Sequence, residues 1–208
     1  MIIRNKFVNI VFISFLSLVL SIQLSSAFSY NFLNNATLAE SGSMSSSTSP
    51  YWWVNSGAYL KIYGARGHTV EGELPENDYW RLLYLRSNPL DTDDGFHPQN
   101  IFRLVTKEQW KNVQQEVYFK VTKDNFSPSP NREGHNGLLL FNRYLNSDNL
   151  YYTGVRVDGA AVIKKKQNGR YTTLAYVPGI YAGVYNRNTN PNLIPKNRWL
   201  GIRSEVRD

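Results

Sequence analysis

The chain of 208 residues is long enough for one domain with a terminal segment, and its 42% hydrophobic and 14% aromatic content excludes a disordered, collagen-like or coiled-coil protein. It contains no cysteine, which excludes disulfides, zinc–thiolate sites, thiol nucleophiles and iron–sulfur clusters. The formal net charge is +7, but apart from Lys164–Lys166 the bases are spread along the chain. We therefore expect no nucleic-acid binding and favour an acidic polysaccharide or anionic surface as partner.

The first 27 residues have the three parts of an export signal. Arg4 and Lys6 precede an apolar run over residues 7–24, and Ser25-Ser26-Ala27 supplies the small residues of a cleavage site. This pattern predicts a secretory signal peptide over residues 1–27 and an extracellular, secreted protein. The alternative is an uncleaved membrane anchor, because a run of about 18 apolar residues is at the lower limit for spanning a bilayer. Only in that case is the membrane a partner.

Residues 28–50 end in SGSMSSSTSP, a composition that predicts a flexible Ser-rich linker. From residue 51 onward, short apolar runs alternate with turn residues, and we assign the folded domain to residues 51–208. The predicted strands are Ala58–Tyr63, Tyr79–Arg86, Gln115–Val121, Gly137–Tyr144, Leu150–Val157, Ala160–Lys166, Tyr171–Val177 and Arg198–Val206.

Two turn signals predict consecutive hairpins. Asp158-Gly159 and Asn168-Gly169 supply the residues that type I′ turns require at their two positive-φ positions. No sustained helical period and no helix–strand alternation is present, so the sequence predicts an all-β protein, an antiparallel β-sandwich or jelly roll. Its last strand runs almost to Asp208, and we expect the domain to be incomplete at that end.

Four segments carry a resemblance to a known superfamily. They are WVNSGAYLKIYGARG, EVYFKVT, YYTGVRVDGAAVIKKKQNGRYTTLA and NRWLGIRSEV, all of which lie within residues 51–208. With them the chain resembles the concanavalin A-like lectin/glucanase superfamily, and its middle part resembles laminin-G-like and keto-disaccharide-hydrolase-like domains. The resemblance implies a jelly roll and a carbohydrate ligand. It does not imply one reaction, because the superfamily contains lectins, glycoside hydrolases and polysaccharide lyases.

Patterns for catalysis are weak in this sequence. The paired carboxylates that glucanase members carry on one strand are missing, and Glu71 and Glu73 lie in a predicted loop. The segment RSEVR at residues 203–207 resembles a substrate-groove strand of alginate-lyase-type jelly rolls. We interpret it as a two-sided strand in which Ile202, Ser204 and Val206 face the core.

One loop and one histidine are candidate chemical sites. The carboxylates of Asp91–Gly95 are oxygen ligands of the kind that Ca²⁺ prefers, but their spacing is not that of an EF-hand, and a polar turn is the alternative. We therefore predict no cofactor, with Ca²⁺ as the alternative. His135 is a candidate general base, against the alternative of a loop residue without a role.

Aromatic and cationic side chains on strands are the remaining candidates. The predicted substrate-binding residues are Arg86, Tyr118, Lys120, Arg143, Tyr152 and Arg156. By the two-residue period of a strand, Tyr118 lies on the same side as Lys120, and Tyr152 on the same side as Arg156. Rings that stack on sugars and cations that pair with acidic groups predict a secreted carbohydrate-binding, lectin-like domain. The alternatives are a solvated sheet face, an enzyme (lyase or hydrolase) acting on an acidic glycan, and a protein-binding adhesion domain.

Overall fold

A computed structural model describes residues 28–207 of the chain. The predicted signal peptide lies outside the described residues. All helices and strands given below belong to one compact unit that begins at Phe32. Among the described residues, no helix is long and apolar enough to cross a membrane.

The first half of the unit is built from two small sheets. Strands β1 (Ala36–Ala39), β3 (Tyr59–Tyr63) and β4 (Arg66–His68) form one antiparallel sheet, and β2 (Trp52–Ser56) pairs with β5 (Arg103–Thr106) in the other. Because side chains alternate between the two sides of a strand, the apolar side chains of β2 and β3 point into the same core. The core cluster is Val54, Leu60 and Ile62, each at most 4% exposed.

The structure differs from the predicted linker at β1. Residues 36–39 pair in register with β3, and Leu38 packs against the first core cluster. In the serine-rich part that follows, Ser49 is buried, and its hydroxyl accepts hydrogen bonds from the backbone N–H groups of Tyr51 and Trp52. The predicted linker therefore contains a short strand, and its serine-rich part contains a turn that leads into β2.

The strand predicted over Tyr79–Arg86 is wrong: Tyr79–Ser87 forms helix α1. The Asp78 carboxylate accepts a hydrogen bond from the Trp80 N–H at 2.8 Å and caps the helix at its N-terminus. A second, short helix α2 (Pro89–Thr92) and a 3-10 turn (Pro98–Ile101) follow. Helical spacing brings Tyr84 into the interior, where it is 5% exposed.

The second half contains a four-stranded antiparallel meander. Its strands are β7 (Gly137–Asn146), β8 (Asn149–Arg156), β9 (Ala161–Gln167) and β10 (Arg170–Val177), in the order β10-β9-β8-β7. Its core cluster is Leu150, Tyr152 and Val162.

Both predicted hairpins are confirmed by the pairing of β8, β9 and β10. Asn168 and Gly169 have φ of 48° and 77°, as a type I′ turn requires. At the other hairpin only Gly159 has a positive φ, so the type I′ prediction is wrong there. The Asp158 carboxylate instead accepts a hydrogen bond from the Ala160 N–H, which closes a wider loop.

The remaining ribbon pairs β6 (Val113–Phe119) with β11 (Leu200–Val206). Ile202 and Ser204 are each 8% exposed, as the predicted two-sided strand requires. The Gln115 amide joins this ribbon to β7 by donating to the Phe141 carbonyl at 2.7 Å and to Asn142 Oδ1 at 2.9 Å. Every pair of named strands is antiparallel, so the described chain has the predicted all-β class.

Candidate functional site

The predicted residues Tyr152 and Arg156 share a face of β8, and the neighbouring strands extend that face. In the sheet register, Lys164 lies opposite Tyr152, and Lys166 lies opposite Tyr171. A bulge between Thr173 and Ala175 turns the next aromatic residue of β10 to the same side. We call this surface the tyrosine–lysine face; it consists of Tyr152, Arg156, Lys164, Lys166, Tyr171 and Tyr176.

The face runs from a buried end at β8 to an exposed end at β10. Tyr152 is 8% exposed and belongs to the core, whereas Tyr171 is 58% and Tyr176 is 49% exposed. The rings of Tyr152 and Tyr171 meet edge to face with their centroids 6.2 Å apart. Tyr152 therefore supports the exposed Tyr171 ring, and Tyr171 and Tyr176 are the exposed aromatic residues of the face.

Two lysines flank the Tyr171 ring. The Nζ atoms of Lys166 and Lys164 lie 4.9 Å and 5.8 Å from the ring centroid. Both distances are within the range of a cation–π contact. The Lys166 side chain is 16% exposed, and its ammonium also lies 3.4 Å from the carboxylate of Asp148, whose side chain is 60% exposed.

Arg156 occupies the other end of the face and is held rigidly. Its guanidinium donates two hydrogen bonds to the Asp158 carboxylate, at 3.1 Å and 2.5 Å, and its Cζ lies 5.4 Å from the Tyr176 ring centroid. A bidentate pair of this kind fixes the plane of the guanidinium. The cation therefore acts mainly to hold Tyr176 and the turn, and little of it is free for a ligand.

Burial raises the pKa of Tyr152 above its usual value; the neighbouring Tyr171 adds to the rise and the Arg156 charge opposes it. The phenol therefore stays neutral through the physiological range. The charge of the face comes from its three cations, which outnumber the two nearby carboxylates, Asp148 and Asp158.

The other four predicted residues lie on other elements. Tyr118 is 62% exposed on the β6–β11 ribbon, where its hydroxyl donates to the Glu116 carboxylate and its ring lies over Gly201. That carboxylate raises the pKa of Tyr118. Lys120 is exposed just past the end of β6, on the same side as Tyr118 by strand alternation.

Arg86 and Arg143 are also exposed, but neither lies on a regular strand face. Arg86 lies in the last turn of α1. Arg143 has a φ of 46° within the irregular part of β7, between Asn142 and Asn146, where the register with β8 shifts. The structure thus brings Tyr152 and Arg156 together on one face and leaves Arg86 and Arg143 on separate elements.

Four residues of the face were missed from sequence: Lys164, Lys166, Tyr171 and Tyr176. Lys166 and Tyr171 could have been placed from the sequence, because a two-residue Asn168-Gly169 turn fixes them opposite each other. Tyr176 could not be placed in this way, since the bulge at Leu174 shifts the alternation by one residue.

A separate depression of about 210 Å³ lies between the β6–β7 loop and the segment before β11. Asp124 is central to it and is already paired, with Asn192 Nδ2 at 2.7 Å and Lys196 Nζ at 2.9 Å. Arg132, which also lines it, donates to the Ser127 and Arg187 carbonyls. These contacts hold two loops together and leave the depression with little unsatisfied charge.

The two other candidates from sequence are engaged in local contacts. In the Asp91–Gly95 loop, Asp93 pairs with His97 Nδ1 at 3.0 Å, and Asp91 accepts from Asn131 Nδ2 at 2.5 Å. His135 lies 3.3 Å from the exposed Glu133 carboxylate. Within residues 28–207, no three histidine, aspartate or glutamate side chains are grouped to hold a metal ion.

Comparison of the chain with protein-family models, with curated proteins and with solved structures finds no match.

Proposed function

We propose that the protein is a secreted carbohydrate-binding domain whose tyrosine–lysine face binds an acidic polysaccharide. The observation that carries this proposal is the exposed Tyr171 ring with two lysine ammonium groups within 6 Å of its centroid. A ring surface suits the apolar side of a pyranose, and the ammonium groups suit its carboxylate or sulfate substituents. The signal-like N-terminus and the resemblance to lectin-type jelly rolls support the same class of function.

The arrangement favours a polymer over a single sugar. Tyr171 and Tyr176 lie on one open face rather than in a closed pocket, and each has about half of its surface exposed. A polymer can contact both rings and so add two weak interactions. Binding should weaken with salt, because exposed ion pairs are screened at physiological ionic strength.

The proposal is tested by affinity for polygalacturonate and for neutral dextran. We expect binding to polygalacturonate only, with Lys164→Ala/Lys166→Ala and Tyr171→Ala each reducing affinity at least about tenfold, or roughly 1.4 kcal/mol. Isothermal titration calorimetry at low and high salt measures both effects.

The matched control is Lys165→Ala. Lys165 lies between the two lysines of the face but projects to the opposite side of β9, where its Nζ lies 5.8 Å from the Tyr151 ring centroid. We expect this variant to bind within about twofold of the native protein, since the contact it loses is on the other side of the sheet. Equal losses in Lys165→Ala and Lys164→Ala/Lys166→Ala would show that overall charge, and not this face, accounts for binding.

A further inference from the structure

The outer edge of β10 has no strand paired to it among residues 28–207. β10 lies at the end of the four-stranded sheet with β9 on its only paired side. All eight of its residues are exposed, including Leu174 at 54% and Val177 at 57%. The strand contains no proline, acid or lysine, and its one charge, Arg170, is at its first position. The bulge between Thr173 and Ala175 is the one protective feature of this edge, and an edge without the protective residues is a template for a strand that matches its bulge.

The backbone groups that face this edge follow from the register. Main-chain groups of an antiparallel strand point alternately to its two neighbours. The type I′ turn makes Arg170 and Gln167 the closing pair, so Arg170 and Thr172 bond to β9. Beyond the bulge, Ala175 and Val177 are the residues whose backbone groups bond to β9. Tyr171, Thr173 and Tyr176 therefore direct their N–H and C=O groups to the free edge.

We propose that β10 pairs antiparallel with β10 of a second copy of this chain, about a two-fold axis between Thr173 and Leu174. In this register Tyr171 of each copy lies opposite Tyr176 of the other, and both direct their backbone groups into the new ladder. The bulge puts these two tyrosines on the same face although they are five positions apart. Residues opposite one another in an antiparallel pair must lie on the same face of the sheet, and Tyr171 and Tyr176 do so in this register.

Charge and symmetry also fit a second copy. The two Arg170 side chains lie at opposite ends of the paired strands, so no like charges meet, and each lies opposite a Val177. The pairing uses the free β10 edge of both chains, so assembly stops at two copies. The two four-stranded sheets become one eight-stranded sheet. A two-fold axis normal to the sheet keeps both tyrosine–lysine faces on the same side.

Light scattering after size exclusion, on the protein without saccharide, tests the pairing. We expect a mass twice that of one chain. Leu174→Lys and Leu174→Glu should each halve the mass, because the axis brings two like charges together, and an equimolar mixture of the two variants should restore it. Ile163→Lys is the control, since Ile163 is 43% exposed on β9 and away from the edge.

A cross-link makes the test independent of variant stability. The native chain has no cysteine, so Thr173→Cys introduces a single thiol beside the axis. Mild oxidation should give a covalent dimer, whereas Ile163→Cys should remain a single chain. A native protein with the mass of one chain, growth beyond two copies, or equal cross-linking of the two cysteine variants would overturn the proposal. Lys164→Ala/Lys166→Ala should retain the doubled mass, so a failure of saccharide binding is distinguishable from a failure of pairing.

Discussion

At the scale of single residues, the phenol of Tyr84 joins α1 to the first core. Its hydroxyl donates to Glu40 Oε2 at 2.6 Å and accepts from the Gly57 N–H at 3.0 Å. The same carboxylate oxygen accepts from the Ala58 N–H at 2.9 Å. One phenol and one carboxylate thus satisfy the backbone at the turn between β2 and β3. Neither side chain was selected from sequence, because 44 residues separate them.

We expect Tyr84→Phe to lower the free energy of unfolding at pH 8 by about 1–3 kcal/mol, because the Gly57 N–H and the Glu40 carboxylate lose a buried partner. Burial, and then the hydrogen bond to Glu40, raise the pKa of Tyr84 well above its usual value. The native state therefore retains a proton that the unfolded chain loses near pH 10, and this contribution to stability falls as pH rises above about 10. Urea unfolding between pH 8 and 11 should show a shallower decline for Tyr84→Phe. Tyr79→Phe, at a residue that is 66% exposed, should match the native curve.

At the scale of elements, the sequence predicts best where turns are short. The pairing of β8, β9 and β10 was predicted because Asp158-Gly159 and Asn168-Gly169 separate alternating strands. Helix α1 was not predicted, because Tyr, Trp and Leu at adjacent positions also suit a strand. The available signal was Asp78 as an N-cap, followed at helical spacing by the half-buried Trp80 and the buried Tyr84.

Strand β8 depends on a glycine for its contact with β7. A Cβ at Gly154 would overlap the Leu138 carbonyl oxygen and lie 2.9 Å from the Leu139 Cα. These are backbone atoms of the paired strand, so they cannot rotate away. We expect Gly154→Ala to reduce the free energy of unfolding by about 1–3 kcal/mol through overpacking.

The control is Gly42→Ala, where an added Cβ meets nothing within 4 Å. Thermal unfolding followed by circular dichroism measures both variants. A Gly154→Ala protein with the melting temperature of Gly42→Ala would show that the two strands can separate locally without loss of stability.

At the scale of the whole molecule, sequence reasoning predicted the all-β class, and it placed one pair of candidate site residues on the same side of a strand. The two-residue period of β8 placed Tyr152 with Arg156. It could not show that β6 pairs with β11, a partner more than 80 residues away, rather than with the meander. Tyr118 therefore lies in a separate two-stranded sheet. Which strands become neighbours depends on long-range packing, and period alone does not carry that information.

Arg187 connects two long loops, the one between β6 and β7 and the one that follows β10. Its guanidinium donates to three consecutive carbonyls, those of Pro128 at 3.3 Å, Ser129 at 2.7 Å and Pro130 at 3.1 Å. In the opposite direction, the Arg132 guanidinium donates a hydrogen bond to the Arg187 carbonyl at 2.9 Å. The segment after β10 is thereby joined to the loop between β6 and β7.

We expect Arg187→Lys to loosen both loops while the sheets stay folded. A lysine keeps the charge but lacks the planar fork that reaches several carbonyls at once. Losing hydrogen bonds from a charged donor should lower the local opening free energy by about 1–3 kcal/mol. Amide hydrogen exchange should rise in residues 129–136 and 186–193 and stay unchanged in β3, whose backbone is paired on both sides. Equal acceleration in β3 would mean that the loops and the first core open together, and that Arg187 stabilises the whole unit rather than one junction.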